Sequence, residues 1–407
     1  MLDQVLIDQV RRRLDASGLP LTVELWNGEA AGVPPDDARV RVKVNSRATL
    51  KALANPSLGA LARAYVNGAL DLDGDARDIL ALGNALCSAD ACKPARGSAG
   101  WKWWRHTRSN DRRNIQYHYD VSNAFYGLWL DAERVYSCAY FREPGMTLDD
   151  AQRAKLDHIS RKLALKPGER FLDIGCGWGG LILHAARNFG VRAVGITLSD
   201  DQHAYASARV RELGLEGQVE VRKMDYRDVP EAGGYDKIAS VGMFEHVGRV
   251  NLQTYFAKIH SLLRPGGLVL NHGITAAALK SQGLGSGISE FVDEYVFPGG
   301  ELVHVSEVFA GATAGGLECL DAENLRPHYA TTLWHWVTRL EAQAARAIEL
   351  IGEEKYRIWR IYMAGSAHAF ERGWLELWQV LAGKAVDARQ PDYPYTRAYM
   401  YADQAAA

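Results

Sequence analysis

Phe171-Leu-Asp-Ile-Gly-Cys-Gly-Trp-Gly179 is the stretch on which the fold turns. The apolar run Arg170–Ile174 reads as a strand. It ends in the spacing Asp173-x-Gly175-x-Gly177-x-Gly179, and Gly179–Phe189 has the pattern of a following helix. Glycines at such a junction let the backbone turn tightly and approach a ligand closely. Working downstream, Arg192–Leu198 reads as a strand and Asp200–Leu213 as a helix. Val219–Met224, Lys237–Val241 and Leu268–Asn271 read as strands, with a helix near Leu252–Leu263 before the last. Strands alternating with helices predict an α/β fold, a parallel sheet covered on both faces. Residues 333–382 read as a long helical block rich in Trp and Ala. The polar tail with Pro391 and Pro394 is expected to wrap the surface.

Upstream the pattern changes. Val40, Val42 and Val44 alternate with Arg41 and Lys43, as in a half-buried strand. Leu50 to Leu70 reads as an amphipathic helix broken near Asn55-Pro56. Residues 93–113 carry seven basic residues against one acid, Asp111, a net charge of +6, with Trp101, Trp103 and Trp104 among them. Pro94, Gly97 and Gly100 mark this segment as a linker. The expected division is a smaller α+β domain over 1–92, a basic, aromatic linker over 93–113 and a larger domain over 114–407.

Composition excludes several classes. The chain has 407 residues and a net charge of -2, so no global basic field draws it to nucleic acid. Its 5 cysteines, Cys87, Cys92, Cys138, Cys176 and Cys319, are scattered and fit no metal spacing, which suits a reduced cytoplasmic chain. No apolar run approaches the roughly 18 residues of a membrane span. The N-terminus shows no signal-peptide pattern. Contact with a membrane is therefore expected from its surface.

The glycine spacing resembles motif I of the class I, Rossmann-like S-adenosylmethionine-dependent methyltransferases more than the dinucleotide fingerprint G-x-G-x-x-G. The second strand lacks the usual acid at its tip and ends in Gly195-Ile-Thr-Leu-Ser199, with Gln202 nearby. Asp200 and Asp201 offer substitutes, though both equally suit a helix N-terminus. Asp225, after the third strand, is placed either for an adenine amino group or simply as a turn residue.

Longer motifs sharpen the resemblance. Tyr136-Ser-Cys-Ala-Tyr-Phe141, Ser240-Val-Gly-Met-Phe-Glu-His-Val-Gly248, His328-Tyr-Ala-Thr-Thr-Leu-Trp334, His118-Tyr-Asp-x-x-Asn123 and Asn55-Pro-Ser-Leu-Gly59 with Tyr65-x-x-Gly68 look like the cyclopropane fatty acid synthases. The last of these is typical of the N-terminal lipid-binding domain in the phospholipid-acting branch. The resemblance implies that the donor lies against Asp173, Gly175, Gly177 and Gly179. Tyr136 and Ser137 then contact it from upstream, Thr197, Leu198 and Gln202 hold the ribose side, and Asp225 with Tyr226 the adenine side. It also implies a bound bicarbonate held by Cys138, Glu245, His272, Ile274 and Tyr329, and a deep acyl channel beside the C-terminal helices. Family members are often dimers, so a homodimer is expected.

That chemistry makes physical demands. An alkene attacking a sulfonium methyl becomes a cation, so water must be excluded and aromatic or negative groups provided. Ring closure needs a small base beside the new methyl carbon. Glu245 would accept the bicarbonate O–H, while the Cys138 and Ile274 backbone N–H groups, His272 and Tyr329 orient it. Taken alone, Cys138 reads equally as a buried small hydrophobe, Glu245 as a loop carboxylate, His272 as a core histidine and Tyr329 as packing, and His246 competes with Glu245. A methyl transfer without ring closure and a silent lipid-binding protein are the rival functions. The expected partners are an unsaturated acyl chain and the phospholipid surface at the inner face of the membrane, with no nucleic acid. Residues 93–113 are the expected membrane contact, because bases attract anionic headgroups and Trp favours the interface. Replacing Trp101, Trp103 and Trp104 together by Ala should then weaken liposome binding and spare donor binding. Unchanged liposome affinity in a sedimentation assay refutes the contact.

Overall fold

In the computed structural model the stretch before the glycine turn forms β5 (Arg170–Ile174), in the middle of a seven-stranded sheet. Its residues serve both faces. Phe171 enters one apolar core, and Leu172 and Ile174 enter the other. A strand buried on both sides must be apolar throughout, which makes Asp173, on the Phe171 side, an exception that needs a purpose. The structure describes residue 12 and residues 18–54, 56–87, 121–230, 234–279, 287–298, 300–386 and 393–401.

The chain separates into two units. One comprises Met1–Gly100, Gln282–Pro298 and Trp336–Ala369, and the other Trp101–Ser281, Gly299–His335 and Phe370–Ala407. In the larger unit β6 (Arg192–Thr197), β7 (Val219–Lys223), β8 (Tyr235–Val241), β9 (Leu263–Ala276), β10 (Glu318–Asn324) and β11 (Leu375–Gly383) join β5 in the order β10-β11-β9-β8-β5-β6-β7. Strands β5 to β9 are parallel, and β11 runs antiparallel to both β9 and β10. The chain winds one way from β5 to β6 and β7, then returns to β8 on the opposite side of β5. That reversal opens a crevice beyond the C-terminal ends of β5 and β8, where such sheets bind ligands.

In the smaller unit β1 (Leu21–Leu25), β2 (Ala30–Gly32), β3 (Val40–Val44) and β4 (Leu70–Gly74) form a sheet in the order β2-β1-β3-β4. Val40, Val42 and Val44 face its core while Arg41 and Lys43 face solvent, as the alternation predicts. Helices α1 (Thr49–Ala54) and α2 (Leu58–Val66) flank the expected break near Asn55-Pro56, the helix expected to reach Leu70 ends at Val66 because Leu70 begins β4, and α3 (Ala76–Leu86) follows that strand.

The structure departs from three further expectations. The helical block read over 333–382 ends in strand β11, whose mostly apolar run, interrupted by Glu376 and Gln379, does not separate a buried strand from a buried helix. The linear division expected at 93–113 is not the division into these two units. That boundary lies outside the described residues, as do Trp101, Trp103, Trp104 and the His118 motif start, and residues 282–298 and 336–369 belong with the N-terminal sheet rather than with a domain over 114–407. Arg360 supplies the physical reason. It is buried, its Nη1 donates to the Tyr65 hydroxyl at 3.1 Å and to the Leu72 carbonyl at 3.3 Å, and its Nη2 donates to the Gly74 carbonyl at 2.6 Å. Its Nε pairs with Glu341 at 2.8 Å. Arg357 adds a 2.7 Å ion pair to Asp71. The tail also departs from a loose wrap, since Met400 is buried in the core with Leu156 and Ile159.

Removing one partner of a buried ion pair strands the other. Arg360→Met should therefore destabilise the smaller unit by about 3 kcal/mol, read as a lower urea midpoint for the transition that includes the four-stranded sheet.

Candidate active site

The loops after β5 and β8 close on each other at the crevice. A Cβ on Gly175 would lie 3.2 Å from Met243. Gly175, Gly177 and Gly179 have φ of 87°, 54° and 92°, the left-handed region that glycine tolerates without strain. Gly175 and Gly177 line a pocket together with Tyr136, Ser137, Asp173, Thr197, Leu198, Gln202, Asp225 and Tyr226. Gly179 does not line it. It caps the N-terminus of α5 (Gly180–Phe189) and leaves room for Ala206 of α6 (Asp200–Glu212), 3.1 Å from where its Cβ would be.

Each wall has its own fastening. On β6 the Thr197 hydroxyl donates to Gln202 Oε1 at 2.8 Å and accepts from the Ser199 N–H, which leaves the Gln202 amide NH2 as the donor toward the pocket. Asp200 and Asp201 lie in the first turn of α6, where Asp200 pairs with Lys223. Asp225 lines the pocket and is also a turn cap. Both its oxygens are held by Arg227, from Nε at 2.8 Å and Nη2 at 2.6 Å. Any adenine amino group must share that carboxylate with the guanidinium. Tyr136 and Trp178 supply aromatic faces, with the Tyr126 ring 5.7 Å from the first and 4.8 Å from the second.

The wall carrying Tyr136 and Ser137 has no regular structure of its own. The helix α4 (Leu148–Lys162) holds it. Gln152 donates to the carbonyls of Val135 at 3.1 Å and Ser137 at 2.9 Å, Asp149 accepts the Ala132 N–H, and Lys155 Nζ donates to the Ser137 hydroxyl at 2.8 Å. From the helix α10 (Arg326–Ala342; α7, α8 and α9 are Leu252–Leu262, Ile288–Tyr295 and Val305–Ala314), Thr332 and His328 accept the N–H groups of Ala139 and Phe141, each at 3.0 Å. Lys155 is a pocket residue that sequence reasoning missed, because a lysine in LDDAQRAKLDHISRK reads as part of a solvated face. Burial pushes its ammonium down to about 8, against the pull of Asp131, Cys138 and Asp173. Burial likewise pushes Asp173 up to about 7, opposed by Lys155, and its Oδ1 has no partner among the described residues.

A second centre lies where β8 meets β9. Glu245 and His246 share a short 3-10 turn and divide its duties. His246 lines the donor pocket, whereas Glu245 turns to β9 and accepts the Ile274 N–H at 2.8 Å. This corrects one expectation, since the Ile274 N–H is committed to Glu245 and is not free for an ion. The other oxygen, Glu245 Oε2, is buried without a partner among the described residues, and burial pushes the carboxyl up to about 7. Gly273 makes the approach possible, because a Cβ there would stand 2.1 Å from the Phe244 ring.

His272 lies opposite Val241 of β8 on one side and Gln379 of β11 on the other. Gln379 Nε2 donates to its Nδ1 at 3.1 Å, so the ring proton sits on Nε2, which is buried and unpartnered among the described residues. Burial, then the charges of Lys155, Lys162 and His158, hold the ring neutral far below the ordinary histidine range. Cys138 belongs to the upstream wall, near Leu325 before α10, and Tyr329 lies in the first turn of α10, neither on the sheet. The Cys138 thiol donates to the Ala139 carbonyl at 3.2 Å, and full burial raises it far above the range of a working thiolate. The Tyr329 ring packs 4.8 Å from Phe370. The structure thus joins Glu245, His272 and Ile274 in one corner and places Cys138 and Tyr329 by other contacts. Among the described residues no cluster of His, Cys, Asp and Glu is arranged to hold a metal ion, and no helix is long and apolar enough to cross a membrane.

Comparison with known proteins divides the chain linearly. Residues 106–380 match the family model of mycolic acid cyclopropane synthetase, and residues 13–87 match a domain of unknown function. A probable fatty acid methyltransferase of Pseudomonas putida is 45% identical over 97% of this chain and 100% of its own. Cyclopropane mycolic acid synthase 1 of Mycobacterium tuberculosis is 36% identical over 67% of this chain and 96% of its own. The crystal structure of a mycolic acid cyclopropane synthase complexed with SAH and CTAB superposes with a TM-score of 0.64, at 35% identity, over 67% of this chain and 98% of that one.

The sealed Glu245 carboxylate has a measurable cost. Its folded value near 7 lies above its ordinary 4.5, so the folded chain keeps this proton while the unfolded chain sheds it. Stability therefore falls as pH rises from about 4.5 to about 7 and stays reduced above. Glu245→Gln keeps the acceptor for Ile274 and removes the charge. It should be more stable than the wild type by about 2–3 kcal/mol at pH 8, with the gain shrinking toward zero near pH 5, in urea titrations at both pH values.

Proposed function

Because the chain belongs to the mycolic acid cyclopropane synthetase family, it is an S-adenosylmethionine-dependent methyltransferase of fatty acyl chains, and we propose that it adds a methylene carbon across the cis double bond of an unsaturated acyl chain carried by a membrane phospholipid. The observation that carries the proposal is two buried side-chain atoms without a hydrogen-bond partner among the described residues, Glu245 Oε2 and His272 Nε2. One is an acceptor and the other a donor. Bicarbonate has the matching groups, an O–H for the carboxylate and an oxygen for the imidazole N–H, and would supply when bound the base that ring closure requires.

The residues divide the remaining work. The alkene π pair attacks the donor methyl carbon as the sulfonium sulfur leaves with its bonding pair. Loss of a proton from the new methyl group then lets the C–H pair close the ring. Tyr136 and Trp178 offer π faces to the sulfonium end of the pocket. Ile274 fixes one oxygen of Glu245 so that the other keeps its direction, and Gln379 does the same for His272. The apolar seal around them keeps out the water that would capture a cation. Cys138, fully buried and protonated, serves as packing and not as a nucleophile. The basic, Trp-bearing segment 93–113 supports a phospholipid surface as the partner that presents the substrate. A transfer that stops before ring closure is the second reading. The name of the Pseudomonas putida relative, a probable fatty acid methyltransferase, favours it.

The test is a product assay with S-adenosylmethionine, bicarbonate and vesicles of an unsaturated phospholipid. The acyl chains should gain one CH2 and show cyclopropyl proton signals. Glu245→Gln should slow ring closure by about 100-fold or more with donor affinity almost unchanged. The same mass gain with olefinic or branched-methyl signals establishes the second reading.

A further inference from the structure

The donor assignments run along the sheet in a definite order. Asp225 and Tyr226 follow β7, Thr197 and Gln202 belong to β6 and its helix, and Asp173 ends β5. With adenine over β7 and ribose over β6, the amino-acid end of the donor falls over β5, against Ser137 and Lys155. We propose that Lys155 is the receptor for the donor's α-carboxylate, acting together with the Ser137 hydroxyl that it holds. This inference rests on the reading of the pocket as a donor site.

The geometry supports it. Lys155 is 1% exposed and lines the pocket. Its Nζ donates to Ser137 Oγ at 2.8 Å, and among the described residues it makes no ion-pair contact with a carboxylate. An ammonium has three donors, so this one carries capacity beyond the hydroxyl. Burying a cation without a partner is costly, and an anion delivered by the ligand removes that cost. Two other cations reach the pocket wall. Arg227 is paired with Asp225, and Arg134 lies over the Tyr205 ring, 4.3 Å from its centroid, with its Nη1 buried and unpartnered among the described residues. Lys155 is the cation placed against Ser137.

The groups facing Lys155 are Asp131 and Cys138 from the upstream wall and Asp173 from β5, and its charge is also felt by His272 of β9. Cys138 and His272 remain uncharged at working pH. With the ammonium losing its proton near 8, carboxylate recognition belongs to the pH range below that value and fades above it.

The experiment compares S-adenosylmethionine with its decarboxylated form, which keeps the sulfonium, adenosine and amine and lacks only the carboxylate. Affinities are measured by calorimetry on the full chain. The wild type should prefer the carboxylated donor by about 10- to 100-fold at pH 7. In Lys155→Met that preference should collapse to about twofold or less, with affinity for the decarboxylated form retained. A preference that survives in Lys155→Met overturns the proposal and hands the role to Arg134. Should Lys155→Met fail to fold, the wild type still decides. Its preference should shrink between pH 7 and pH 9.5, and a constant preference overturns the proposal. If the wild type binds neither ligand, the donor reading itself fails and this inference with it.

Discussion

Gln152 commits its side-chain amide to two carbonyls of a segment that has no strand or helix to satisfy them. Buried backbone polar groups must be paired, and most of this site depends on that one obligation being met from α4. Without it, Val135 and Ser137 would turn their carbonyls to solvent and take Tyr136 and the Ser137 hydroxyl with them. The helix can do this because it presents Asp149, Gln152 and Lys155 at three-residue intervals along one side. Its charges thus point inward, where an ordinary amphipathic helix would bury Leu and Ala alone.

Much of the sheet was legible because its signals are local. Arg170–Ile174 and the glycine turn declare themselves within nine residues, and the strands from β6 to β8 follow at the expected spacing. Strand β11 was illegible because Leu375–Gly383 is mostly apolar, with only Glu376 and Gln379 polar, and its place between β9 and β10 makes it a strand. The site divides in the same way. Gly175, Gly177, Thr197, Gln202 and Asp225 lie on the pocket wall because they sit at the ends of legible strands. Lys155 was missed because its role comes from a tertiary neighbour, Ser137, 18 positions upstream. Ile274 was assigned the wrong duty for a similar reason. No pattern in β9 reveals that Glu245, 29 residues earlier, takes its N–H.

Four buried polar groups around the two centres, Asp173 Oδ1, Lys155, Glu245 Oε2 and His272 Nε2, have spare hydrogen-bonding capacity. A core optimised only for stability would pair or replace them. Lys155 and Asp173 line the pocket proposed for the donor, and on the proposed function ligands would supply the missing partners. Ligand binding should accordingly feed into the stability of the larger unit.

The smaller unit is assembled from three separate stretches of chain, the last supplying Arg360 to Tyr65, Leu72 and Gly74. On the ribosome this has a consequence for timing. The N-terminal sheet emerges first and waits for nearly 300 further residues before its last buttress is synthesised. The intervening seven-stranded sheet also gains β11 only after that buttress, so neither unit is complete until almost the whole chain has emerged. Vectorial, one-domain-at-a-time maturation is therefore closed to this protein. Its nascent form must keep an apolar half-core sheltered until the C-terminal segments arrive.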